Sequence, residues 1–141
     1  MAYMSQERKA ALLPGIKAAL AKYGMKGTVA VRHHSTLVIN IAEGVLDVIG
    51  NYNAVLRERA AGRHPEPAYA STYLDVNPYW HEEHFSGEAK AFFAELFEAA
   101  MVGNHNRSDL SSDYHDVGWY VDVKVGHWKK PYRLALAQAA A

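Results

Sequence analysis

Two histidines in the segment NPYWHEEHF, residues 77–85, are the first candidates for chemistry. His81 and His84 stand three positions apart, so on a helical turn they share a face and could both approach one metal ion. The spacing differs from the four-residue spacing of the H-E-x-x-H zinc-protease motif. A metal-dependent enzyme centred on this pair is therefore one hypothesis, and surface or capping roles are the alternative. A third ligand would have to come from His105, His115, Asp113 or Asp116.

The segment Asp113-Tyr114-His115-Asp116 is the second candidate, because it flanks a histidine with carboxylates. An aspartate can orient an imidazole and raise its pKa, as general-base catalysis requires. Ser108, Ser111 and Ser112 are near in sequence, yet the chain contains no G-x-S-x-G nucleophile elbow. This pattern favours a binding role over hydrolase chemistry. The absence of Cys excludes disulfides, Cys-based zinc sites and thiol catalysis.

The charges balance over the whole chain but not along it. Among 141 residues, 15 Lys and Arg oppose 15 Asp and Glu. Residues 1–65 carry a net charge of about +5, residues 66–122 about −9 and residues 123–141 about +4. Two interpretations stay open. Either folding pairs these charges across elements, or an acidic patch remains available to a basic partner surface.

The acidic interpretation predicts a partner-binding surface that also includes tryptophans beside turns. An indole in such a position often keeps one wet edge and contributes strongly to protein interfaces. The predicted partner-binding residues are Trp80, Glu82, Glu83, Glu95, Asp113, Asp116 and Trp128.

The basic C-terminal segment supports a different interpretation. Aromatic side chains beside Lys and Arg can stack on single-stranded nucleic acid. The balanced total charge argues against a strongly basic nucleic-acid binder, and P-loop and G-x-G-x-x-G motifs are absent from the sequence. The residues of this alternative are Lys124, Lys129, Lys130 and Arg133, together with the N-terminal basic residues.

Two amphipathic segments predict the helices that must position these residues. Apolar residues recur at helical spacing over 5–23, with Ser5 as the N-cap. Pro14 lies inside this segment, so the helix is expected to be kinked or built as two pieces. The second segment, 86–103, has Ser86 as its predicted N-cap.

Alternation of apolar and polar residues predicts the strands. Residues 27–33 and 36–42 form a predicted hairpin whose polar tip is His33-His34-Ser35. Residues 117–125 alternate most regularly, and Trp119 among them is predicted to be core. Further predicted elements are short strands at 45–49 and 73–76, a short helix at 51–59, a loop at 60–67 and, at 132–136, either a last edge strand or a helical turn.

These elements predict an α+β fold in a single domain, 1–141, whose end, 134–141, is a frayed tail. Two amphipathic helices pack on one face of a four- to five-stranded, mostly antiparallel sheet, because closely spaced strands pair antiparallel. The sequence shows neither a signal-peptide layout nor 18 consecutive apolar residues, so the expected location is the cytoplasm, with no membrane partner. No cofactor is expected.

Residues 1–41, 73–93 and 107–132 together resemble small uncharacterised accessory proteins encoded by phages, prophages and conjugative plasmids. They look similar to one of the large polyvalent protein-associated domains of mobile elements. The resemblance covers most of the chain, departs mainly at 54–70 and transfers no activity to particular residues. It implies an accessory protein of a mobile element in a bacterial host. Such proteins often counter host defence, including CRISPR–Cas, by occupying a surface of the defence complex.

The leading hypothesis is therefore a non-enzymatic protein that binds a host protein, for example as an anti-CRISPR inhibitor. Its expected partner has a basic surface, such as a nucleic-acid-handling defence complex. The alternative is a nucleic-acid-binding module of phage or plasmid maintenance, and the third hypothesis is the metal-dependent enzyme. The oligomeric state stays open, since an exposed edge strand at 132–136 would allow a sheet-extended dimer.

Overall fold

The computed structural model describes residues 3–60, 72–76, 78, 81–103, 118–127 and 129–134. The helices in these ranges are α1 (Gln6–Lys22), α2 (Val48–Ala60), α3 (His81–His84) and α4 (Gly87–Ala100). The strands are β1 (Met25–Arg32), β2 (Thr36–Gly44), β3 (Leu74–Val76), β4 (Tyr120–Val125) and β5 (Arg133–Leu134). The predicted α+β class is confirmed. None of the described helices combines the length and apolarity needed to cross a membrane.

The sheet is mixed, with the order β1-β2-β4-β3 and with β5 paired to the end of β2. The β1–β2 hairpin is antiparallel, as predicted, and β3 pairs antiparallel with β4. The central pair, β2 with β4, is parallel, with Ile39 opposite Val123. Parallel strands need a long crossover, and here the connection passes through α2, β3, α3 and α4.

Helix α1 begins as the sequence predicts. The Ser5 side chain accepts a hydrogen bond from the backbone N–H of Arg8 at 3.0 Å, which satisfies one of the free donors of the first turn. The helix continues through Pro14 as one element, so the two-piece alternative is wrong.

The predicted strand at 45–49 is wrong, because α2 already begins at Val48. Asp47 explains this start: its Oδ1 accepts from the N–H of Gly50 at 3.0 Å, and its carbonyl accepts from the N–H of Asn51 at 2.9 Å. An aspartate in this position caps a helix. The short helix predicted from residue 51 is therefore present and starts three residues earlier.

Helix α4 is held at its start by α2 rather than by its own cap. Ser86 occupies the N-cap position, but its side chain makes no cap hydrogen bond. Instead, the Asn51 amide donates to Ser86 Oγ at 3.0 Å and accepts from the Ser86 N–H at 2.9 Å. This two-way hydrogen bonding joins two segments that are 35 residues apart.

The core lies between one face of the sheet and the helices α1 and α4, as predicted. The buried strand residues of this core are Met25, Leu37, Ile39, Ile41, Leu74, Val76, Val121, Val123 and Val125. Phe92 and Phe93 of α4 are fully buried, and their rings continue an aromatic series to Tyr23 on one side and to Phe85 on the other. Trp119 is also buried, and its Nε1 donates to the carbonyl of Ala100 at 3.1 Å.

Some predictions concern residues outside the described ranges. They include most of the loop at 60–67, the serines at 108–112, the Asp113–Asp116 segment and the tail from 135 onward.

Candidate functional site

Helices α1 and α4 enclose a groove that contains one of the predicted partner-binding residues, Glu95. Its volume is about 360 Å³, and we name it the α1/α4 groove. The floor is made of small side chains, among which Gly15 and Ala99 mark the close approach of the two helices. Glu95 and Glu98 stand on one rim, Lys22 stands on the other, and Val102 at its end is 65% exposed. The groove therefore combines an apolar floor with a charged rim.

Glu95 is the centre of a small hydrogen-bonded cluster. Lys22 Nζ lies 2.7 Å from Glu95 Oε1, and the Tyr23 hydroxyl donates to Glu95 Oε2. The hydrogen bond from Lys22, followed by that from Tyr23, lowers the pKa of Glu95 below its usual value. The same hydrogen bonds to Glu95 raise the pKa values of Lys22 and Tyr23. The negative charge of Glu95 is thus already compensated within the fold.

The other carboxylates of α3 and α4 differ in how far they are compensated. Glu83 lies 3.9 Å from Arg59, and both side chains are more than half exposed, which makes the pair a weak one. Glu82, Glu88 and Glu98 are exposed, and no described residue forms an ion pair with them. These three side chains keep their charge available to a partner.

Two acidic residues on the sheet support the interpretation that folding pairs the charges. Arg32 reaches Asp122 at 2.8 Å on the face of the sheet opposite the helices. Lys124 lies 3.3 Å from Asp75 and 3.7 Å from Asp122 on the same face. The acidic middle of the sequence is therefore partly neutralised by the basic flanks. Of the described acidic residues between 66 and 122, those without an ion pair to a described residue lie on α3 and α4.

The basic residues of the nucleic-acid alternative separate into two places. Lys130 and Arg133 line a groove of about 600 Å³ together with Ala42 and Pro131. Arg133 is also paired with Glu43 at 2.9 Å. Lys129 is exposed close by, whereas Lys124 belongs to the ion-paired face of the sheet. Lys129, Lys130 and Arg133 therefore lie near one groove, and Lys124, the fourth predicted residue, lies elsewhere on the sheet.

The two candidate metal ligands lie on one helical turn, α3, but pack against different rings. His81 is buried and stacks on Phe97 with ring centroids 4.6 Å apart, whereas His84 stands edge-on to Tyr52 at 5.8 Å. Burial lowers the pKa of His81, and no described residue forms a hydrogen bond with its Nδ1. Within the described ranges, no three His, Asp or Glu side chains come together in a way that could hold a metal ion.

Sequence reasoning missed the residues that engage Glu95. Lys22 and Tyr23 end the first helical stripe, more than 70 residues before their partner. No local spacing could reveal this contact. Four predicted partner-binding residues lie outside the described ranges: Trp80, Asp113, Asp116 and Trp128.

Comparison of the chain with known protein families, curated proteins and solved structures finds no match. The features that bear on function are therefore the α1/α4 groove with its acidic rim, the unpaired carboxylates beside it and the basic groove at the C-terminal strand.

Proposed function

We propose that the protein is a non-enzymatic accessory protein of a mobile element that binds a basic surface of a host protein and thereby inhibits a defence complex. The observation that carries the proposal is the α1/α4 groove. Its rim presents Glu98 without an ion-pair partner in the described residues, and its floor is apolar. Glu82 and Glu88 extend the negative charge along α3 and α4.

The groove supplies the two contributions that a protein interface needs. The small side chains of the floor and the exposed Val102 offer apolar surface to a partner. The unpaired carboxylates offer charge complementarity, which speeds association and discriminates between partners. A basic, partly apolar segment of a host protein matches both.

The biological setting in this proposal comes from the sequence resemblance. The resembling segments include α1, which lines the groove, and α3 with the first half of α4, which carries Glu82 and Glu88. The resemblance points to mobile elements, so the proposed compartment is the cytoplasm of a bacterial host.

Capture from a bacterial host lysate tests this function by charge reversal. We expect the wild-type protein to retain a host protein that the Glu88→Lys/Glu98→Lys variant loses at least tenfold. The matched control is Glu7→Lys/Glu58→Lys, which reverses two exposed carboxylates outside the groove and should retain the partner. Salt should release the partner, because the screening length falls from ~10 Å at 0.1 M to ~3 Å at 1 M.

Equal capture by both variants, or capture of no host protein, would contradict the proposal. A captured protein should also show its known activity inhibited by the wild-type chain and not by Glu88→Lys/Glu98→Lys. An unaffected activity would remove the inhibitory part of the proposal.

The groove lined by Lys130 and Arg133 supports a second candidate function, the binding of nucleic acid. A gel-shift experiment with single-stranded and duplex DNA and RNA at low salt tests it. Lys130→Glu should abolish the shift, whereas Lys90→Glu, an exposed lysine on α4, should leave it unchanged. The absence of a shift at low salt would dispose of this function.

A further inference from the structure

Strand β1 is a long, open edge of the sheet. It has eight residues and, among the described strands, pairs with β2 alone. Its register is interrupted once, between Lys26 and Gly27, and is then regular to Arg32. Among the described residues, no backbone group outside β2 hydrogen-bonds to residues 28–31. Such unpaired N–H and C=O groups are a template for another strand.

A groove lies beside this edge, between β1 and helix α1, with a volume of about 280 Å³. We name it the α1/β1 groove. Leu13 and Val29 line it and are only partly buried, so apolar surface remains open there. Lys9 and Lys17 flank Leu13 along the helix. Neither lysine forms an ion pair with a described residue.

Helix α1 and strand β1 run in opposite directions along the groove. The beginning of the helix lies next to the hairpin tip, because the Met4 N–H donates to the carbonyl of His34 at 2.6 Å. The end of the helix passes directly into β1 through residues 23–24. A strand added to the outer edge of β1 would therefore run alongside α1.

The spacing along α1 matches the spacing of side chains on one face of such a strand. Lys9, Leu13 and Lys17 are four residues apart, which is a rise of about 6 Å per step in an α-helix. Two residues of a β-strand span about 7 Å, and alternate residues point to the same face. An acidic, an apolar and an acidic side chain at every second position would meet Lys9, Leu13 and Lys17 in turn.

We propose that the edge of β1 and the α1/β1 groove bind an extended segment of a partner protein by strand addition, with the pattern acidic-x-apolar-x-acidic. Main-chain hydrogen bonds to β1 would supply affinity, and the groove would read alternate side chains. This site is separate from the α1/α4 groove. It binds an acidic segment, whereas the α1/α4 groove is proposed to bind a basic one.

Charge selects this occupant over a second copy of the chain. Pairing β1 with β1 of another copy would bring two α1/β1 grooves together, each lined by Lys9 and Lys17, which form no ion pair with a described residue. Like charges at such an interface are unfavourable, whereas the carboxylates of an acidic segment complement them.

The test uses a fluorescein-labelled peptide, TETVTET, and the full chain. Its Glu, Val and Glu side chains occupy alternate positions, so they can face α1 together. We expect saturable binding by fluorescence anisotropy, and at least tenfold weaker binding of TKTVTKT. The Lys9→Glu/Lys17→Glu variant should also lose at least tenfold in affinity for TETVTET. Lys90→Glu reverses an exposed lysine outside this groove and should change affinity less than twofold.

N-methylation of the peptide, one residue at a time, distinguishes strand addition from simple charge attraction. Only every second amide of an added strand donates to its neighbour, so the loss of affinity should alternate along the peptide. Amide NMR shifts should change at residues 28–31 of the protein.

Three outcomes of the peptide-binding measurements would overturn the proposal. They are no saturable binding at up to ~1 mM peptide, equal binding of TETVTET and TKTVTKT, and equal effects of N-methylation at all positions. Sedimentation as a dimer that does not bind TETVTET would assign the edge to a second copy and would also overturn it. These results are independent of the Glu88→Lys/Glu98→Lys experiment, since the two grooves share no charged residue.

Discussion

Helix α1 lies between two grooves that differ in how far their charged side chains are ion-paired. On the α4 side, Lys22 and Tyr23 close onto Glu95, so the groove satisfies much of its own charge. On the β1 side, Lys9 and Lys17 have no ion-pair partner in the described residues. The same helix thus supplies basic side chains to both grooves, and the element that packs across each groove decides which of them remain available. Counting charges along the sequence cannot make this distinction.

The apolar side chains beside the two grooves also differ in how deeply they are buried. Ile16 and Phe92 are fully buried between α1, α4 and the sheet. Leu13 and Val29 beside the β1 edge are only partly buried. The α4 side therefore contributes more to the stability of the fold, whereas the β1 side has apolar surface left for a partner to cover.

The largest expected loss of stability comes from shortening a side chain of α1 that faces the core. Ile16→Ala should reduce the free energy of unfolding by ~2–5 kcal/mol, because it leaves a cavity in a fully buried site. Leu13→Ala, on the groove facing β1, should cost clearly less, because Leu13 is partly exposed. Urea unfolding of both variants measures the difference. Equal losses would show that the two sides are packed alike.

Each groove is lined by one glycine, and replacing the two glycines by alanine should change the stability of the fold in opposite directions. A Cβ on Gly27 would lie 2.5 Å from the carbonyl oxygen of Asn40, so Gly27→Ala should destabilise the fold by ~1–3 kcal/mol. A Cβ on Gly15 would meet Ala99 at 3.6 Å, an ordinary contact, so Gly15→Ala should stabilise helix α1 by ~0.5–1 kcal/mol. Thermal unfolding of both variants checks the signs. Destabilisation by Gly15→Ala would contradict the described α1/α4 geometry.

The Glu95 cluster should make stability depend on acidity. Since hydrogen bonds from Lys22 and Tyr23 lower the folded pKa of Glu95, its contribution is fully present above an unfolded pKa of about 4.3. That contribution is lost as the pH falls through the folded pKa. In the Glu95→Gln variant, the urea concentration at the unfolding midpoint should therefore fall less as the pH is lowered into the acid range. This dependence is the acid limb of the midpoint plotted against pH. Glu98→Gln is the matched control and should retain this limb, and identical profiles for both variants would argue against the cluster.

The smallest change in stability is expected for a substitution in α1 on the side that faces β1. Lys17→Gln should change the free energy of unfolding by less than ~0.5 kcal/mol, as is usual for exposed positions without specific contacts. Lys22→Gln should lower the thermal midpoint more, because it removes the hydrogen bond to Glu95. The reverse order would mean that Lys17, rather than Lys22, is the engaged lysine of α1.

The sequence predicts well those features that depend on neighbouring residues. The Ser5 cap and the β1–β2 hairpin are both present, because each is stabilised by hydrogen bonds between residues that are close in sequence. The strand predicted at 45–49 is wrong for a related reason. Its apolar residues fit either period, and the side chain of Asp47 selects the helix.

The sequence by itself determined the helices α1 and α4, the hairpin, the α+β class and the surplus of acidic residues in the middle of the chain. Only the tertiary structure decided that β2 and β4 pair in parallel, that Glu95 meets Lys22, and that Lys9 and Lys17 have no ion-pair partner among the described residues. The physical reason is that caps and periodicity act within a few turns of chain. Ion pairs and grooves instead depend on packing between segments that are distant in sequence.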